Sequence, residues 1–345
     1  MTVVIPIQKK NILVLGGAGF IGSHLCELLL RRGDNVICLD NFITSDVENI
    51  KMMLEFPNFE FIRHDITTDM DFGKEPGLRK FKVHINGVQE IYNLACPTSP
   101  SDYTSLPIET ALANSQGVRI SLELAKKYKA RYLLTSSSAV YGPAPEDTNI
   151  ISENYLGRVN FIGPRACYNE GKRFAEMLTS TYREYFKLDV RTARVFTTYG
   201  PRMMKNSGRI IPDIINNALM NQEVVVPGDA STGSSLCFVK DTVEGLLALM
   251  HSEIDHPVNI GNDNFYTYHD ITEKVRSMVS STSTVRYGES LPFSHHQAVP
   301  DITLAKEKLN WFPLVNIDEG LKQTIAFARS NYIGKIDMRR YRAQE

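Results

Sequence analysis

Tyr168 and Lys172 stand four residues apart in the run Cys167-Tyr168-Asn169-Glu170-Gly171-Lys172, so on a helix they share one face. A tyrosine gives up its proton at about pH 10 and is a poor base at neutral pH. A neighbouring ammonium would favour the phenolate and lower that value. Such a phenolate can take a hydroxyl proton while hydride leaves the same carbon. Ser137, in the run Thr135-Ser136-Ser137-Ser138-Ala139 at the end of an apolar stretch, can share that hydroxyl. A Tyr-x-x-x-Lys pair is common on exposed helices. Its weight here comes from what precedes it.

That is the segment Leu13-Val-Leu-Gly16-Gly-Ala-Gly19-Phe20-Ile21-Gly22, followed by Leu25, Leu28 and Leu29 on one helical face and by the strand pattern Val36–Leu39, which ends in Asp40. The glycines allow a tight turn and close approach of the backbone to a pyrophosphate. The helix that follows offers free N–H groups to phosphate. Asp40 falls about 20 residues on, where a carboxylate accepts from ribose hydroxyls and repels a 2′-phosphate. The strand–turn–helix–strand–acid context therefore predicts a dinucleotide site, with NAD favoured over NADP.

The elements that must position these groups alternate. Strand patterns at Phe59–Ile62, Glu90–Leu94, Tyr132–Ser136 and Asp189–Val195 are separated by helical patterns such as Ile108–Lys127 and Tyr168–Phe186. This order predicts an α/β fold, a Rossmann-type doubly wound parallel sheet with the coenzyme at the strand C-termini. After Gly200 the pattern becomes mixed. The expected division is an NAD-binding domain over 9–200, completed by about 236–256, a smaller mixed α/β substrate lobe from 201–235 and 257–335, and a polar tail at 336–345. The helix pattern Ile317–Ser330 belongs to that lobe.

The chain has 345 residues, 43% of them hydrophobic, and a formal net charge of -1. It can bury a full core. Near-neutral charge gives no reason to expect nucleic acid or an anionic membrane surface as a partner. No apolar run is long enough to span a bilayer, and no secretory leader is visible at Met1–Lys10. The five cysteines are scattered, without metal spacing, which favours reduced thiols in a cytoplasmic protein. His295-His296 lacks a third ligand at suitable spacing, so no metal is expected. Glu146-Asp147 reads as a solvated loop, Cys96 as pocket lining rather than a nucleophile, Cys167 as helix packing, and Trp311 as core of the smaller lobe.

Taken together, Gly16–His24, Asp40-Asn41-Phe42, Ile91–Pro100 with Tyr103, Asn160–Arg173, Tyr199–Met203 and Gly208-Arg209 resemble the extended short-chain dehydrogenases/reductases, the nucleotide-sugar epimerase/dehydratase family. Within it the chain is most similar to the UDP-glucuronate decarboxylase (UDP-xylose synthase) subgroup. The resemblance covers Asn11 to about Ser330. It implies that Gly16, Gly19, Phe20, Ile21 and Gly22 line NAD, that Asp40 and Asn41 hold the adenosine ribose, that Asp65 and Ile66 flank adenine, and that Leu94 and Ala95 line the coenzyme. It makes Tyr168 the base, Lys172 its partner and Ser137 the hydroxyl-binding group. Substrate contacts would come from Pro97, Tyr103, Ser138, Ala139, Thr197, Arg202, Arg209, Ser234 and Ala298. Family members oxidise C4 of a nucleotide sugar through a 4-keto intermediate, and pair as homodimers through two long helices, here Ile108–Lys127 and Tyr168–Phe186.

The departures bear on the reaction. The decarboxylases carry a glutamate two residues after their active-site threonine, where this chain has Ala139 after Ser137. They carry an arginine in an Arg-Lys-Pro-Asp stretch, here Ala298-Val299-Pro300-Asp301. A further arginine is replaced at Ser234 or Ser235, and an asparagine by Thr197. Two of the lost groups suit handling of a carboxylate and a proton at C5; the others bind diphosphate. Each lost charge-assisted contact costs about 1.5–3 kcal/mol, although Arg202, Lys205 and Arg209 remain. The dehydratase acid pair is also absent. The reading is thus epimerisation or keto-sugar formation on a nucleotide sugar. The alternatives are decarboxylation of UDP-glucuronate to UDP-xylose, the same redox chemistry on a nucleoside or glycoside without a diphosphate, and a non-catalytic NAD-binding protein.

Overall fold

The computed structural model describes residues 9–342 apart from 70, 73–74, 145–147, 206 and 290–298, with side chains as far as residue 330. Seven parallel strands form the central sheet: β1 (Asn11–Leu15), β2 (Asn35–Asp40), β3 (Phe59–Arg63), β4 (Glu90–Asn93), β5 (Arg131–Ser137), β6 (Val190–Val195) and β7 (Val258–Ile260). Their spatial order is β7-β6-β5-β4-β1-β2-β3. The order reverses between β1 and β4, which pair as Leu13↔Ile91 and Leu15↔Asn93. A crevice opens at such a reversal beyond the strand C-termini.

Covering helices bury both faces, so the strands read as near-continuous apolar runs. Alternate residues of β1 join different cores. Ile12 and Val14 pack with Leu25 and Leu29 of α1 (Phe20–Arg31). Leu13 and Leu15 pack with Leu122 of α2 (Val118–Tyr128) and Ala175 of α3 (Ala166–Phe186). Leu246 and Leu249 of α4 (Val239–Met250) extend the first core.

Two expectations differ from the structure in informative ways. The helix pattern Ile108–Lys127 is interrupted: a helix over Pro107–Leu112 passes through a π-helical turn at Ala113–Gly117 before α2 begins. And Val258–Ile260, expected in the smaller lobe, joins the central sheet instead, with Val258↔Ala193 and Ile260↔Val195. All three of its residues are buried, and α4 returns the chain across the sheet to that edge, so pairing there removes apolar surface from both of its faces. Residues 257–260 therefore sit with the coenzyme-side sheet.

The smaller lobe is built from short pairs. Gly233–Ser235 runs antiparallel to Phe265–Thr267, and Val224–Pro227 runs parallel to Val285–Gly288. Helices Ile210–Leu219 and Tyr268–Val279 pack beside them. Ile150–Ile151, which follows the serine run, pairs with Val299–Pro300 from the lobe side. The last helix runs from Ile317 to Arg342, past the expected end at Ser330 and into the expected tail, since no proline interrupts that stretch.

Candidate active site

The glycine turn closes against β2. The N–H of Gly16 donates to the carbonyl of Leu39 at 2.8 Å, and that of Gly19 to the carbonyl of Gly16 at 3.1 Å. Gly16 has φ +74°, and a Cβ there would lie 2.8 Å from the backbone of Ala95. A Cβ on Gly22 would collide with the Gly16 carbonyl. Helix α1 then starts with no side-chain cap, so its first N–H groups face the crevice unclaimed by side chains.

Asp40 ends β2 and is buried. One carboxylate oxygen accepts from the N–H of Ala18 at 3.0 Å; the other accepts from the N–H of Phe42 at 2.9 Å and the hydroxyl of Ser45 at 2.7 Å. Asn41 donates to Asp65 at 3.0 Å. Burial raises the Asp65 carboxyl, but donation from the N–H and hydroxyl of Thr67 and from Asn41 outweighs it and holds the group below its ordinary value. A cleft of about 120 Å³ opens here, lined by Asp40, Asn41, Asp65, Ile66, Leu94 and Ala95. Pro97, expected on the substrate side, lines this cleft, whereas Thr98 and Ser99, which follow it, line the larger one described next.

A larger cleft of about 340 Å³ continues from the same glycines. Phe20, Ile21 and Gly22 form one wall, and Ser137, Tyr168 and Lys172 converge on another. The N–H of Ala139 donates to the Ser137 hydroxyl at 3.2 Å, which fixes the serine as β5 ends. Tyr168 and Lys172 come from the first turns of α3 and are both buried.

The electrostatics of Tyr168 depart from the sequence expectation. Burial pushes its phenol above the usual value, and Cys96 adds to this, whereas the Ser137 hydroxyl, Arg209 and Arg165 pull it down. Lys172 does not lead that balance; its ammonium donates to the carbonyl of Thr135 at 2.9 Å. The Tyr168 ring stacks on Tyr103 with centroids 5.5 Å apart and planes 18° from parallel. The Arg165 guanidinium lies 5.6 Å from the Tyr103 ring centroid.

Further along, Arg209 donates to the Thr98 hydroxyl at 2.8 Å. Arg202, at φ +68°, pairs with Glu27 of α1 at 2.6 Å. Thr197 lines the cleft, and buried Ser234 donates to its hydroxyl at 3.0 Å. Thr197, Arg202 and Arg209 thus line one cleft, with Ser234 behind Thr197. Ser138 and Ala139 also line it; Ala139 presents a methyl group. Among the described lining residues the one carboxylate is Asp102, whose side chain is taken up in a capping box with Ser99. Ala298, Glu146, Asp147, His295 and His296 lie outside the described residues. Among the described residues no group of three or more candidate ligands is placed to hold a metal ion, and no helix is long and apolar enough to cross a membrane.

Sequence reasoning passed over Arg165, Asn169 and Tyr268, which line the same cleft. Arg165 carried a signal: it stands three residues before Tyr168, inside the Gly-Pro-Arg run, one turn away on the helix face. Tyr268 carried none, since its place beside Thr197 depends on how the lobe folds back. Cys96 lines both clefts and accepts from Asn114 at 3.1 Å. Trp311 is buried against α4, its indole N–H donating to the Asp241 carbonyl at 3.0 Å.

A doubly wound sheet with an uncapped, glycine-lined helix start and a Ser-Tyr-Lys set in the adjoining cleft defines a dinucleotide-dependent enzyme class. The NAD-dependent epimerase/dehydratase family model matches residues 12–261, and the chain belongs to that family, whose cofactor is NAD. It is 39% identical over 328 residues to UDP-glucuronic acid decarboxylase 1 of Arabidopsis thaliana, covering 95% of this chain and 72% of that protein. It is 40% identical over 320 residues to UDP-glucuronic acid decarboxylase 1 of Danio rerio, covering 93% and 73%. Among solved structures, UDP-glucose 4-epimerase of Thermotoga maritima, determined with UDP-glucose, superposes with a TM-score of 0.81 at 26% identity, covering 93% and 99%. UDP-glucuronic acid 4-epimerase of Bacillus cereus, in complex with UDP-glucuronic acid and NAD, gives 0.80 at 26% identity, covering 93% and 100%.

Proposed function

We propose that this enzyme oxidises a hydroxyl of a nucleotide sugar, at C4, through a keto intermediate, and either returns the hydride to give the epimer or releases the keto sugar. The observation that carries this reading is the convergence of Ser137, Tyr168 and Lys172 on one cleft beside the glycine turn. NAD supplies the hydride acceptor when bound. The residues fit it: the cradle at Gly16 and Gly22 has no room for a Cβ, the start of α1 offers N–H groups to the pyrophosphate, and Asp40 and Asn41 stand where the adenosine ribose would be held, with Asp65 and Ile66 beside the base.

Tyr168, as its phenolate, would take the carbinol proton and become the phenol, while the hydride from the same carbon would go to NAD. Ser137 shares the substrate hydroxyl and favours the phenolate. Lys172, fixed on the Thr135 carbonyl, contributes positive charge beneath the reacting centre. Arg165, Arg202 and Arg209 suit a diphosphate further along the channel. Ala139 and the capped Asp102 leave the described wall without a carboxylate poised to move a proton at C5, which favours epimerisation or keto-sugar formation over decarboxylation.

The decarboxylase reading has its own support in relatives about 40% identical over nearly the whole chain. The test is mass spectrometry of UDP-glucuronate and UDP-glucose incubated with the NAD-loaded enzyme. A product isobaric with its substrate, or lighter by two hydrogens, supports the present reading. Loss of CO₂ from UDP-glucuronate overturns it in favour of decarboxylation. Turnover only of nucleosides or glycosides would instead indicate a substrate without a diphosphate. We infer also a cytoplasmic homodimer. Five unpaired thiols support the compartment, and exposed Ile108 and Leu112 beside exposed Phe174 and Met177 of α3 support helix pairing between two copies.

A further inference from the structure

The wall behind Ser137 is polar, buried and continuously bonded. Glu176 follows Tyr168 and Lys172 on α3 at the same four-residue spacing. Its carboxylate accepts from the hydroxyl of Ser136 at 2.5 Å and from the guanidinium of Arg194 at 2.8–3.2 Å. The Arg194 and Glu176 side chains are 14% and 12% exposed. Arg194, on β6, donates in addition to the Tyr141 hydroxyl at 3.0 Å and the Glu153 carbonyl at 3.1 Å. Tyr141 donates onward to Asn259 at 2.7 Å. Asn259 donates from its amide to the carbonyls of Ile151 at 3.0 Å and Asp301 at 3.1 Å, and from its backbone N–H to the Glu153 carboxylate at 2.9 Å. The bonds thus run from the residue beside Ser137 to the paired strands Ile150–Ile151 and Val299–Pro300.

We propose that Glu176 and Arg194 are positioning residues, which lock the end of β5 onto α3 and so set Ser137 against Tyr168, and which through Tyr141 and Asn259 tie that setting to the strand pair joining the two lobes. Ser136 and Ser137 are consecutive at the end of β5, so a grip on Ser136 from α3 restricts how Ser137 can turn. A buried ion pair is weak support for stability, since desolvation offsets its attraction; a role in fixing one arrangement is the better-attested use. This inference rests on the reading of Tyr168 as proton acceptor.

The test uses NAD-loaded Glu176→Gln and Tyr141→Phe proteins with UDP-glucose and UDP-glucuronate as probes. A displacement of about 1 Å at a reacting group costs up to about 100-fold in rate. The expected result is a kcat lowered about 10- to 100-fold in Glu176→Gln and less in Tyr141→Phe, with KM little changed, as for a contact needed only in the transition state. A second readout needs no substrate: the titration of the Tyr168 phenol, followed by ultraviolet difference spectroscopy against a Tyr168→Phe counterpart of each protein. It should move to higher pH in both variants as Ser137 loosens, while Cys96, Tyr103, Arg165, Lys172 and Arg209 around the phenol stay in place. Tyr141→Phe keeps its ring and the ion pair, so it carries the test if Glu176→Gln fails to fold. Folded variants with the parent's kcat and phenol titration overturn the proposal. If the parent turns over neither probe, the functional reading is in question but the titration still decides this one.

Discussion

The ammonium of Lys172 donates to the carbonyl oxygen of Thr135 at 2.9 Å, which ties the cation on α3 to the strand that ends in Ser137. Lys172 is therefore held by the serine strand, so its substitution tests that tie as well as its charge. Lys172→Met removes both the charge and the tie. Its kcat should fall about 10- to 100-fold, and the alkaline shift of the rate profile should exceed that of any surface lysine variant, as pH-dependent kinetics would reveal.

Tyr168→Phe keeps the ring that stacks on Tyr103 and deletes only the oxygen. Proton transfer of this kind contributes about 10²–10⁴-fold, so turnover should drop by that factor while bound NAD is retained. Quantifying NAD released from denatured protein, alongside product formation, separates the two effects. Loss of NAD together with activity would point to a structural role for the phenol.

Asp40→Ala should weaken NAD binding about 10- to 100-fold, the equivalent of losing one charge-assisted contact worth about 1.5–3 kcal/mol. Because the same carboxylate accepts from Ala18, Phe42 and Ser45, the loop should also loosen. Calorimetric titration with NAD and NADP measures the change, and the preference for NAD should narrow.

Gly22→Ala puts a Cβ onto the Gly16 carbonyl, with no flexible side chain to give way. Overpacking of this sort costs about 1–3 kcal/mol. The variant should melt earlier than the parent, and added NAD should raise its melting temperature by less, in paired thermal scans.

His24 gives a pH signature. Burial first, then Arg202 beside it, lowers its imidazole from 6.5 to about 4, against the opposing pull of the Pro201 carbonyl and Glu27. The unfolded chain binds a proton near the ordinary value that the folded one refuses. The stability present above pH 6.5 is therefore lost as pH falls through 6.5 toward about 4. In denaturant unfolding across that range, His24→Gln should show a shallower decline than the parent.

A charge on the outer face of α3 tests assembly. Phe174→Glu with Met177→Lys should leave the core intact, because both side chains are exposed. Sedimentation should then report a monomer where the parent reports a dimer. A parent that already sediments as a monomer would remove the homodimer from the picture.

Much of the coenzyme side was legible because its signals are local. The turn at Gly16, the start of α1 and the carboxylate of Asp40 fall within one strand–helix–strand unit, where short-range sterics dictate the outcome. Tyr168, Lys172 and Ser137 were readable for the same reason: helix spacing and a strand end fix their directions. Val258–Ile260 was misassigned because three apolar residues carry no address; only the return path of α4 selects the sheet edge beside β6. Pro97 lines the smaller cleft while Thr98 beside it lines the larger, a division that no local pattern encodes. Arg165 was visible but unread. Tyr268 and the Glu176–Arg194–Tyr141 bonding depend on contacts between distant segments, which no local pattern encodes.

The π-helical turn at Ala113–Gly117 has a consequence for how this chain can change length. It accommodates one residue more than a regular helix, and within it Asn114 reaches both the Thr110 carbonyl and the Cys96 sulfur. Deleting one residue there would close the wide turn into a regular helix and, because the turn already absorbs the extra residue, leave the flanking stretches on their present bearing; what would be lost is the reach of the Asn114 amide to the Cys96 sulfur. The additional residue thus serves the wall of the cleft through Asn114 and Cys96, and the outer face of the helix is indifferent to it.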